Sequence, residues 1–231
     1  MMKAFLLASV VALAALGTAP AATAPQKKAS AARDWTKTVV ATPEGGFRMG
    51  NPQAPTKLVE YGSLTCNHCA AFAKDGMPQL VGQYVKSGRL SFEFRNFVRD
   101  PYDLSAALLS RCAGAGNFFP LTDRMFATQR QWLDKGAAQS GAISKLPENQ
   151  QFGRIASVTG LDAMAAKAGV TPARAKQCLN DPKGVQKLVQ MRAVAIDNYG
   201  LKYTPTFVIN GKKADASSWA ELKPLLGSPG G

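Results

Sequence analysis

The segment SLTCNHCAAF, residues 63–72, carries two cysteines separated by two residues. Cys66 and Cys69 enclose His68, which is the only histidine of the chain. Cysteines at this spacing serve as metal ligands, as haem attachment points, as a structural disulfide or as a redox pair. The residues around the pair decide between these chemistries.

Several of these chemistries fit the sequence poorly. A c-type haem requires histidine directly after the second cysteine, where this chain has Ala70. Zinc requires four ligands, yet Cys112 and Cys178 are single and distant, and there is no second histidine. A disulfide across two residues strains most backbones. A two-thiolate Cu(I) site stays open as an alternative, since thiolates suit that ion.

A redox pair has a physical basis here. A predicted strand ends near Gly62 and a predicted helix begins at the pair, so Cys66 lies at a helix N-terminus, which favours negative charge. A protonated His68 adds a positive charge beside it. Both effects stabilise a Cys66 thiolate, the nucleophile and better leaving group of disulfide exchange. Cys69, three residues further on, faces inward and resolves mixed disulfides.

Two further sites belong to this hypothesis. Glu60 lies six residues before Cys66 in the middle of an apolar strand. It is either an outward-facing strand residue or a buried carboxyl with a raised pKa that relays the proton of Cys69. Thr204 and Pro205 precede a predicted hairpin; a cis proline there presents the backbone of Thr204 to an extended peptide, although the same residues also suit an ordinary turn.

The N-terminus predicts export. Lys3, the apolar run at 4–16 and the small residues at 22–24 together indicate a secretory signal peptide over residues 1–24. Exported chains can keep disulfides, and the four cysteines are an even set. The formal charge of +13 comes from scattered basic residues, so it predicts a solvated basic surface and no nucleic-acid site.

The order of predicted elements indicates an α/β fold with a helical insertion. Strands are predicted at 36–42, 57–63 and 89–97, a turn-rich segment at 45–56, and a hairpin at 204–214 with its turn at Asn210-Gly211. Helices are predicted at 101–114, 117–133, 151–169, 172–179 and 183–199, with 134–151 mostly loop. Three helix starts carry a capping residue followed by proline, at Asp100, Thr171 and Asp181. A capping box at Ser218-x-x-Glu221 predicts a last helix.

The ordered set of signal peptide, CNHC helix, helical insert and YTPTFVING resembles the DsbA family of periplasmic thiol:disulfide oxidoreductases over essentially the whole mature chain. The stretch GNPQAPTKLVEYGSLTC looks similar to alphaproteobacterial members. The resemblance implies a thioredoxin-like fold at 36–99 and 183–226, an inserted helical subdomain at 100–182, a flexible lead-in at 25–35 and a tail at 227–231. The chain departs from the family pattern at Asn67, where proline is familiar, and at Thr204, where oxidases usually carry valine and isomerases threonine.

The resemblance also implies the function. Cys66, Cys69, His68 and Glu60 are the expected catalytic residues, and Thr204 and Pro205 the expected substrate-binding residues, with no metal or cofactor beyond the Cys66–Cys69 disulfide. The expected activity is donation of this disulfide to reduced exported proteins in the periplasm, by a monomer that a quinone-linked membrane partner of the DsbB type reoxidises. The alternatives are a disulfide isomerase or reductase kept reduced by a membrane donor, or a Cu(I)-binding module.

The other two cysteines follow from this assignment. Once the first pair is given to redox chemistry by the resemblance, the remaining pairing is Cys112–Cys178, which we expect to be a structural disulfide. The alternative is two buried free thiols.

Overall fold

The computed structural model describes residues 1–2 and 33–228. Residues 3–24 of the predicted signal peptide, most of the lead-in and most of the C-terminal tail therefore lie outside the described residues. Within the described part of the chain, no helix has the length and apolar character needed to cross a membrane.

A six-stranded mixed sheet forms the centre of the fold. Its strands are β1 (Val39–Ala41), β2 (Phe47–Gly50), β3 (Thr56–Gly62), β4 (Leu90–Asn96), β5 (Thr206–Ile209) and β6 (Lys212–Lys213). Their order across the sheet is β1-β2-β4-β3-β5-β6. The central strands β3 and β4 pair in parallel, and the other neighbours are antiparallel. A parallel pair needs a crossover connection, and the helical segment that begins at the cysteine pair supplies it.

Eleven α-helices lie in the described part of the chain. They are α1 (Asn67–Asp75), α2 (Met77–Gln79), α3 (Pro101–Cys112), α4 (Ala115–Ala127), α5 (Gln129–Ala137), α6 (Ser140–Ile143), α7 (Glu148–Thr159), α8 (Leu161–Lys167), α9 (Pro172–Leu179), α10 (Pro182–Tyr199) and α11 (Trp219–Leu225). A 3₁₀ turn at Trp35–Lys37 precedes β1, and a π-helical segment at Leu80–Val85 follows α2.

The two faces of the sheet bury different sets of side chains, as the alternation of a strand requires. Leu58 and Phe92 belong to the large apolar cluster that includes residues of α1, α4 and α11. Tyr61 and Val208 point to the opposite face, where a smaller cluster contains Ala195 of α10. Because Glu60 shares the parity of Leu58, it lies on the face that α1 covers.

Two loop predictions were wrong. Residues 47–50, predicted as part of a turn-rich segment, form β2, because Phe47 and Met49 bury their side chains while the strand pairs with both β1 and β4. Much of 134–151, predicted as loop, is helical: α5 runs to residue 137, and α6 and the start of α7 follow. A few buried side chains, among them Ile143, hold this polar stretch, so its hydrophobic periodicity is weak.

Two predicted boundaries also need correction. The strand predicted at 36–42 is only β1, because Asp34 accepts a hydrogen bond from the amide of Thr36 and caps the 3₁₀ turn before it. The helix predicted at 117–133 is divided at Thr128, whose φ of −113° and ψ of 15° leave the helical region, into α4 and α5.

The predicted capping residues stand where the sequence places them. Asp100, Thr171 and Asp181 each accept a hydrogen bond from a backbone amide of the first helical turn. Ser218 caps α11 through the amide of Glu221, but the Glu221 carboxylate reaches back to the amide of Ser217, one residue earlier than a capping box predicts. The described residues from Arg33 onward form one compact unit, and the division of that unit into two domains stays a prediction.

Candidate active site

The cysteine pair lies where β3 ends and α1 begins. Cys66 is the N-cap residue of α1, and its backbone amide donates to the carbonyl of Ser63 in the turn that leaves β3. Cys66 is 3% exposed and Cys69 is fully buried. Both are free thiols, so the structure represents the reduced pair.

The surroundings of Cys66 stabilise its thiolate. The thiol of Cys69 donates a hydrogen bond to Cys66 and is the largest cause that lowers the Cys66 pKa from 9.0 to about 5. Burial opposes this shift, while the Thr204 side chain and the backbone amides of Cys69 and His68 support it. At pH 7 a pKa of about 5 leaves roughly one hundred thiolates for each thiol. The pair thus contains a nucleophile that is ionised at neutral pH.

His68 acts on the thiolate through its backbone amide. Its side chain is exposed at the start of α1. The predicted contribution of a protonated imidazole to the thiolate stays a prediction.

The loop before β5 faces the nucleophile. The Thr204–Pro205 peptide bond is cis, and the Cys66 thiol donates to the Thr204 carbonyl with a sulfur–oxygen distance of 3.2 Å. Antiparallel pairing of β3 with β5 sets Tyr61 opposite Thr206 and brings this loop to the end of β3. The buried Thr204 hydroxyl has no well-oriented hydrogen-bond partner in the described protein while Cys66 is a thiol. Once that thiol ionises, its sulfur becomes an acceptor toward which the hydroxyl can turn, which agrees with the lowered pKa.

The pKa of Cys69 is shifted in the opposite direction to the pKa of Cys66. Burial is the largest cause that raises its pKa well above 9.0, followed by its hydrogen bond to Cys66 and by the charge of Glu60. The amide of Ser63 donates to its sulfur at 3.5 Å. Cys69 therefore holds its proton at neutral pH, and any reaction in which its sulfur attacks must first remove that proton.

Glu60 lies beneath the pair. The residue is 2% exposed, which rules out the outward-facing alternative, and Oε1 has no hydrogen-bond partner within the described residues. Burial is the first cause that raises its pKa well above 4.5, and the negative charges of Cys66 and Asp123 add to it. A buried carboxyl with a raised pKa exchanges protons near neutral pH more readily than an ordinary glutamate.

A glutamine that the sequence analysis missed holds the cysteine loop. The side-chain amide of Gln129, the first residue of α5, donates to the carbonyls of Leu64 and Cys66 at 2.8 and 2.9 Å. The Gln129 side chain is buried. It stands 63 residues from Cys66, and no local sequence pattern signals such a contact.

An aspartate of α3 supports the same loop and was also missed. Asp103 is fully buried, and its carboxylate accepts from the amides of Leu64 and Arg99 at 2.8 and 3.1 Å. Burial is the main cause that raises its pKa to about 7. Both Gln129 and Asp103 belong to the helices that follow β4, so that part of the chain helps to shape the cysteine loop.

The other two cysteines lie away from this loop. Cys112 at the end of α3 and Cys178 in α9 form a disulfide with a Cα–Cα distance of 6.1 Å. Residues 1–2 and 33–228 contain no group of three or more histidine, cysteine, aspartate or glutamate side chains arranged to hold a metal ion.

Known proteins resemble this chain in fold and sequence. A family model described as Thioredoxin matches residues 42–227. A solved structure of a protein-disulfide isomerase from Novosphingobium aromaticivorans superposes with a TM-score of 0.72 and 34% identity, covering 78% of this chain and 94% of that one. Wolbachia pipientis alpha-DsbA1, with a TM-score of 0.64 and 24% identity over 81% of this chain and 91% of that one, has the same fold.

A curated relative extends the likeness in sequence. The chain is 28% identical over 188 residues, 81% of its length, to a protein of Rickettsia conorii that is named provisionally as a protein-disulfide oxidoreductase. The chain spans 61% of the length of that relative. Because the family model covers most of the chain, the chain belongs to the thioredoxin family.

Proposed function

We propose that this chain is an exported thiol-disulfide oxidase that donates the Cys66–Cys69 disulfide to reduced proteins. One observation supports this most directly. The two sulfurs have opposite environments, one stabilised as a thiolate and the other buried as a thiol. Stabilising the thiolate stabilises the reduced pair, so its disulfide becomes more oxidising.

The exchange follows from the geometry of the pair. A substrate thiolate attacks Cys66, the more exposed of the two sulfurs, and Cys69 leaves as a thiolate that takes up a proton. A second thiolate of the substrate then attacks the substrate sulfur that is bonded to Cys66 in the mixed disulfide. Cys66 is the leaving group, and its low pKa makes this departure fast.

The cis-proline loop is the proposed substrate contact. The Thr204 carbonyl lies 3.2 Å from the Cys66 sulfur, so a peptide joined to that sulfur passes directly over Thr204 and Pro205. An extended peptide can pair with exposed backbone groups as an added strand, which makes the contact independent of the substrate's side chains. This suits an enzyme that acts on many unfolded chains.

The cellular setting is part of the proposal. The signal-peptide pattern of residues 1–24 supports export to the periplasm, where disulfides persist. Reduced exported proteins are the proposed substrates of a monomeric enzyme, and a quinone-linked membrane protein of the DsbB type is the proposed reoxidant. Glu60 is proposed to relay the proton of Cys69.

A disulfide isomerase or reductase is the second candidate. Thr204 before the cis proline favours it, and the 34% identical relative carries the name of a protein-disulfide isomerase. Such an enzyme uses the same Cys66 thiolate but works from the reduced state. The reduction potential of the pair separates the two candidates.

The activity test compares cysteine variants. We expect Cys66→Ala to abolish both reduction of insulin and oxidation of a dithiol peptide, because no other thiolate can start exchange. Cys69→Ala should accumulate a mixed disulfide at Cys66, since the resolving thiol is gone. The double variant Cys112→Ala/Cys178→Ala is the matched control and should keep its activity. Turnover retained by Cys66→Ala would disprove the proposed function.

The potential test uses the wild-type protein equilibrated with glutathione buffers. A value near about −120 mV, typical of a strong disulfide donor, supports the oxidase. A value at or below about −230 mV, in the range of glutaredoxins and thioredoxin, supports the reductase or isomerase instead.

A further inference from the structure

A small cavity lies beside Glu60. Its volume is about 10 Å³, and its wall includes Glu60, Phe92, Phe119 and Asp123. This volume is about that of one water-sized probe, so the cavity can hold a single water molecule. A buried water needs polar partners, and among the lining residues the carboxyl groups of Glu60 and Asp123 and the hydroxyl group of Thr122 offer them.

Asp123 connects this cavity to solvent. A groove of about 840 Å³ runs between α1 and α4, and Asp123, Ala73, Met77 and Phe126 line both the groove and the cavity. Asp123 is an exposed residue of α4, whereas Glu60 is buried. The Asp123 side chain therefore stands where the small cavity meets the open groove.

The surroundings of the Glu60 and Asp123 carboxyl groups favour the retention of a proton by this pair. Burial first, and then the charges of Cys66 and Asp123, raise the pKa of Glu60. Although the Asp123 residue as a whole is exposed, the protein around its carboxyl group partly excludes water and raises its pKa to about 6. Lys74 of α1 lines the groove, but no cation lies within 4 Å of either carboxylate in the described protein. Like-charged groups without a counter-ion exchange protons close to neutral pH.

The chemistry of Cys69 needs a route of this kind. Burial raises the pKa of Glu60, which favours its protonated form, and a protonated Glu60 can accept the proton of Cys69 only if it passes its own proton onward. Met77 and four phenylalanines, which cannot carry a proton, provide much of the remaining wall of the cavity. The Thr122 hydroxyl, also in the wall, donates to backbone carbonyls of its own helix. Asp123 is the one residue of that wall, apart from Glu60, with an ionisable side chain.

We propose that Asp123 and one water in this cavity carry the proton between Glu60 and solvent when Cys69 gains or loses its proton. The inference rests on the proposed function and adds a residue of α4 to it. Because it acts through Glu60 and touches no reacting sulfur, Asp123 is a positioning residue for proton transfer.

In the resolving step, the sulfur of Cys69 displaces the partner from Cys66. The S–H bond of Cys69 breaks, its sulfur bonds to Cys66 Sγ, and the bond between Cys66 and the partner's sulfur breaks. The partner leaves as a thiolate with the electron pair, so the enzyme pair is oxidised and the partner's disulfide is reduced. The proton of Cys69 passes to Glu60, the proton of Glu60 passes through the water to Asp123, and Asp123 releases it to the groove.

Rapid mixing of the reduced protein with oxidised glutathione tests the proposal. Acid quenching and mass spectrometry give the rate at which glutathione attaches to Cys66 and the lifetime of that mixed disulfide. We expect Asp123→Asn to lengthen the lifetime about tenfold, a fraction of what a whole general base contributes. Attachment to Cys66 should stay within about twofold, because Cys66 is already ionised.

Three further variants separate proton transfer from packing. Asp123→Glu keeps the carboxyl group and should resolve nearly as fast as the wild type. Ala73→Leu fills the cavity without removing an acid and should slow resolution as Asp123→Asn does. Asp134→Asn removes an exposed carboxylate of α5 and is the control that should change nothing.

The outcomes are distinct. Resolution as fast as wild type in both Asp123→Asn and Ala73→Leu overturns this inference while leaving the proposed function intact. Failure of the wild type to form any mixed disulfide overturns both. Should both variants unfold, the rate at which the wild-type mixed disulfide resolves is measured in heavy water and in ordinary water. Equal rates in the two solvents would show that proton transfer by this route is not part of the slow step, which overturns the inference.

Discussion

The charge on Cys66 sets the direction in which the pair exchanges disulfides. When the Cys66 thiolate is more stable than the thiolate of an ordinary cysteine, the equilibrium between disulfide and dithiol shifts toward the reduced pair. The hydrogen bond from the Cys69 thiol is the largest stabilising contribution, so each cysteine of the pair depends on the protonation state of the other. Ionisation of one therefore opposes ionisation of its neighbour.

Stability of the reduced protein should depend on pH for this reason. The pKa of Cys66 is lower in the folded protein, about 5, than its unperturbed value of 9.0. Its contribution to stability is then fully present above about pH 9 and is lost as the pH falls through about 5. Urea unfolding at several pH values should show the reduced protein losing stability toward pH 5 relative to the oxidised protein, which has no Cys66 thiol to titrate.

The reduction potential provides the second readout of the same prediction. Between about pH 5 and the pKa of Cys69, reduction takes up one proton rather than two. The potential should therefore fall by about 30 mV for each pH unit, half the slope of a pair in which both thiols are protonated. A two-proton slope at neutral pH would contradict a lowered Cys66 pKa.

At this scale the sequence predicted the placement of most of the site residues. Cys66 at a helix start, an inward Cys69, and a carboxyl six residues upstream all follow from short-range spacing. The burial of Glu60 was one of two alternatives, because a strand residue can face either side of a sheet until its neighbours are known. Gln129 and Asp103 could not be predicted, since they reach the cysteine loop only through tertiary packing.

Among the elements, α5 contributes to the site through its first residue. Gln129 donates to two backbone carbonyls of the cysteine loop, and one of them belongs to Cys66 itself. The Cys66 carbonyl also accepts the first hydrogen bond of α1, from Ala70. The Gln129 side chain thus connects the start of α5 to the start of α1.

Removing this connection should cost stability. Gln129→Ala leaves the Leu64 carbonyl without the Gln129 donor and the Cys66 carbonyl with the Ala70 amide alone, which we expect to lower the free energy of unfolding by about 1–3 kcal/mol. Chemical denaturation of the oxidised protein measures this loss. Gln131→Ala, an exposed residue on the same helix, is the matched control. Equal stability of the two variants would show that water replaces the Gln129 amide and that the contact is not structural.

Element boundaries were predicted well where capping residues mark them and poorly where they do not. Asp100, Thr171 and Asp181 each fixed a helix start because their side chains satisfy free backbone amides. The break at Thr128 and the strand β2 depend instead on distant partners. β2 in particular exists because β1 and β4 pair with it from both sides, which no local pattern reports.

Across the whole molecule, the helices between β4 and β5 do more than cover the sheet. Asp103 and Gln129 hold the cysteine loop, and Asp123 stands beside Glu60. A thiol pair on a sheet with only α1 beside it would lack these three contacts. The helical segment therefore influences both the position of the nucleophile and the environment of the buried acid.

The Cys112–Cys178 disulfide should stabilise this helical segment without taking part in exchange. It joins α3 to α9 across a sequence separation of 66 residues, and a cross-link of that length restricts the unfolded chain strongly. We expect Cys112→Ala/Cys178→Ala to lower the free energy of unfolding by about 4 kcal/mol on the chain-entropy model. Insulin reduction per folded molecule should stay within about twofold of wild type. If the double variant unfolds at the same denaturant concentration as the wild type, these cysteines are free thiols in solution. A large loss of activity in a folded double variant would mean that α3 transmits strain to the cysteine loop.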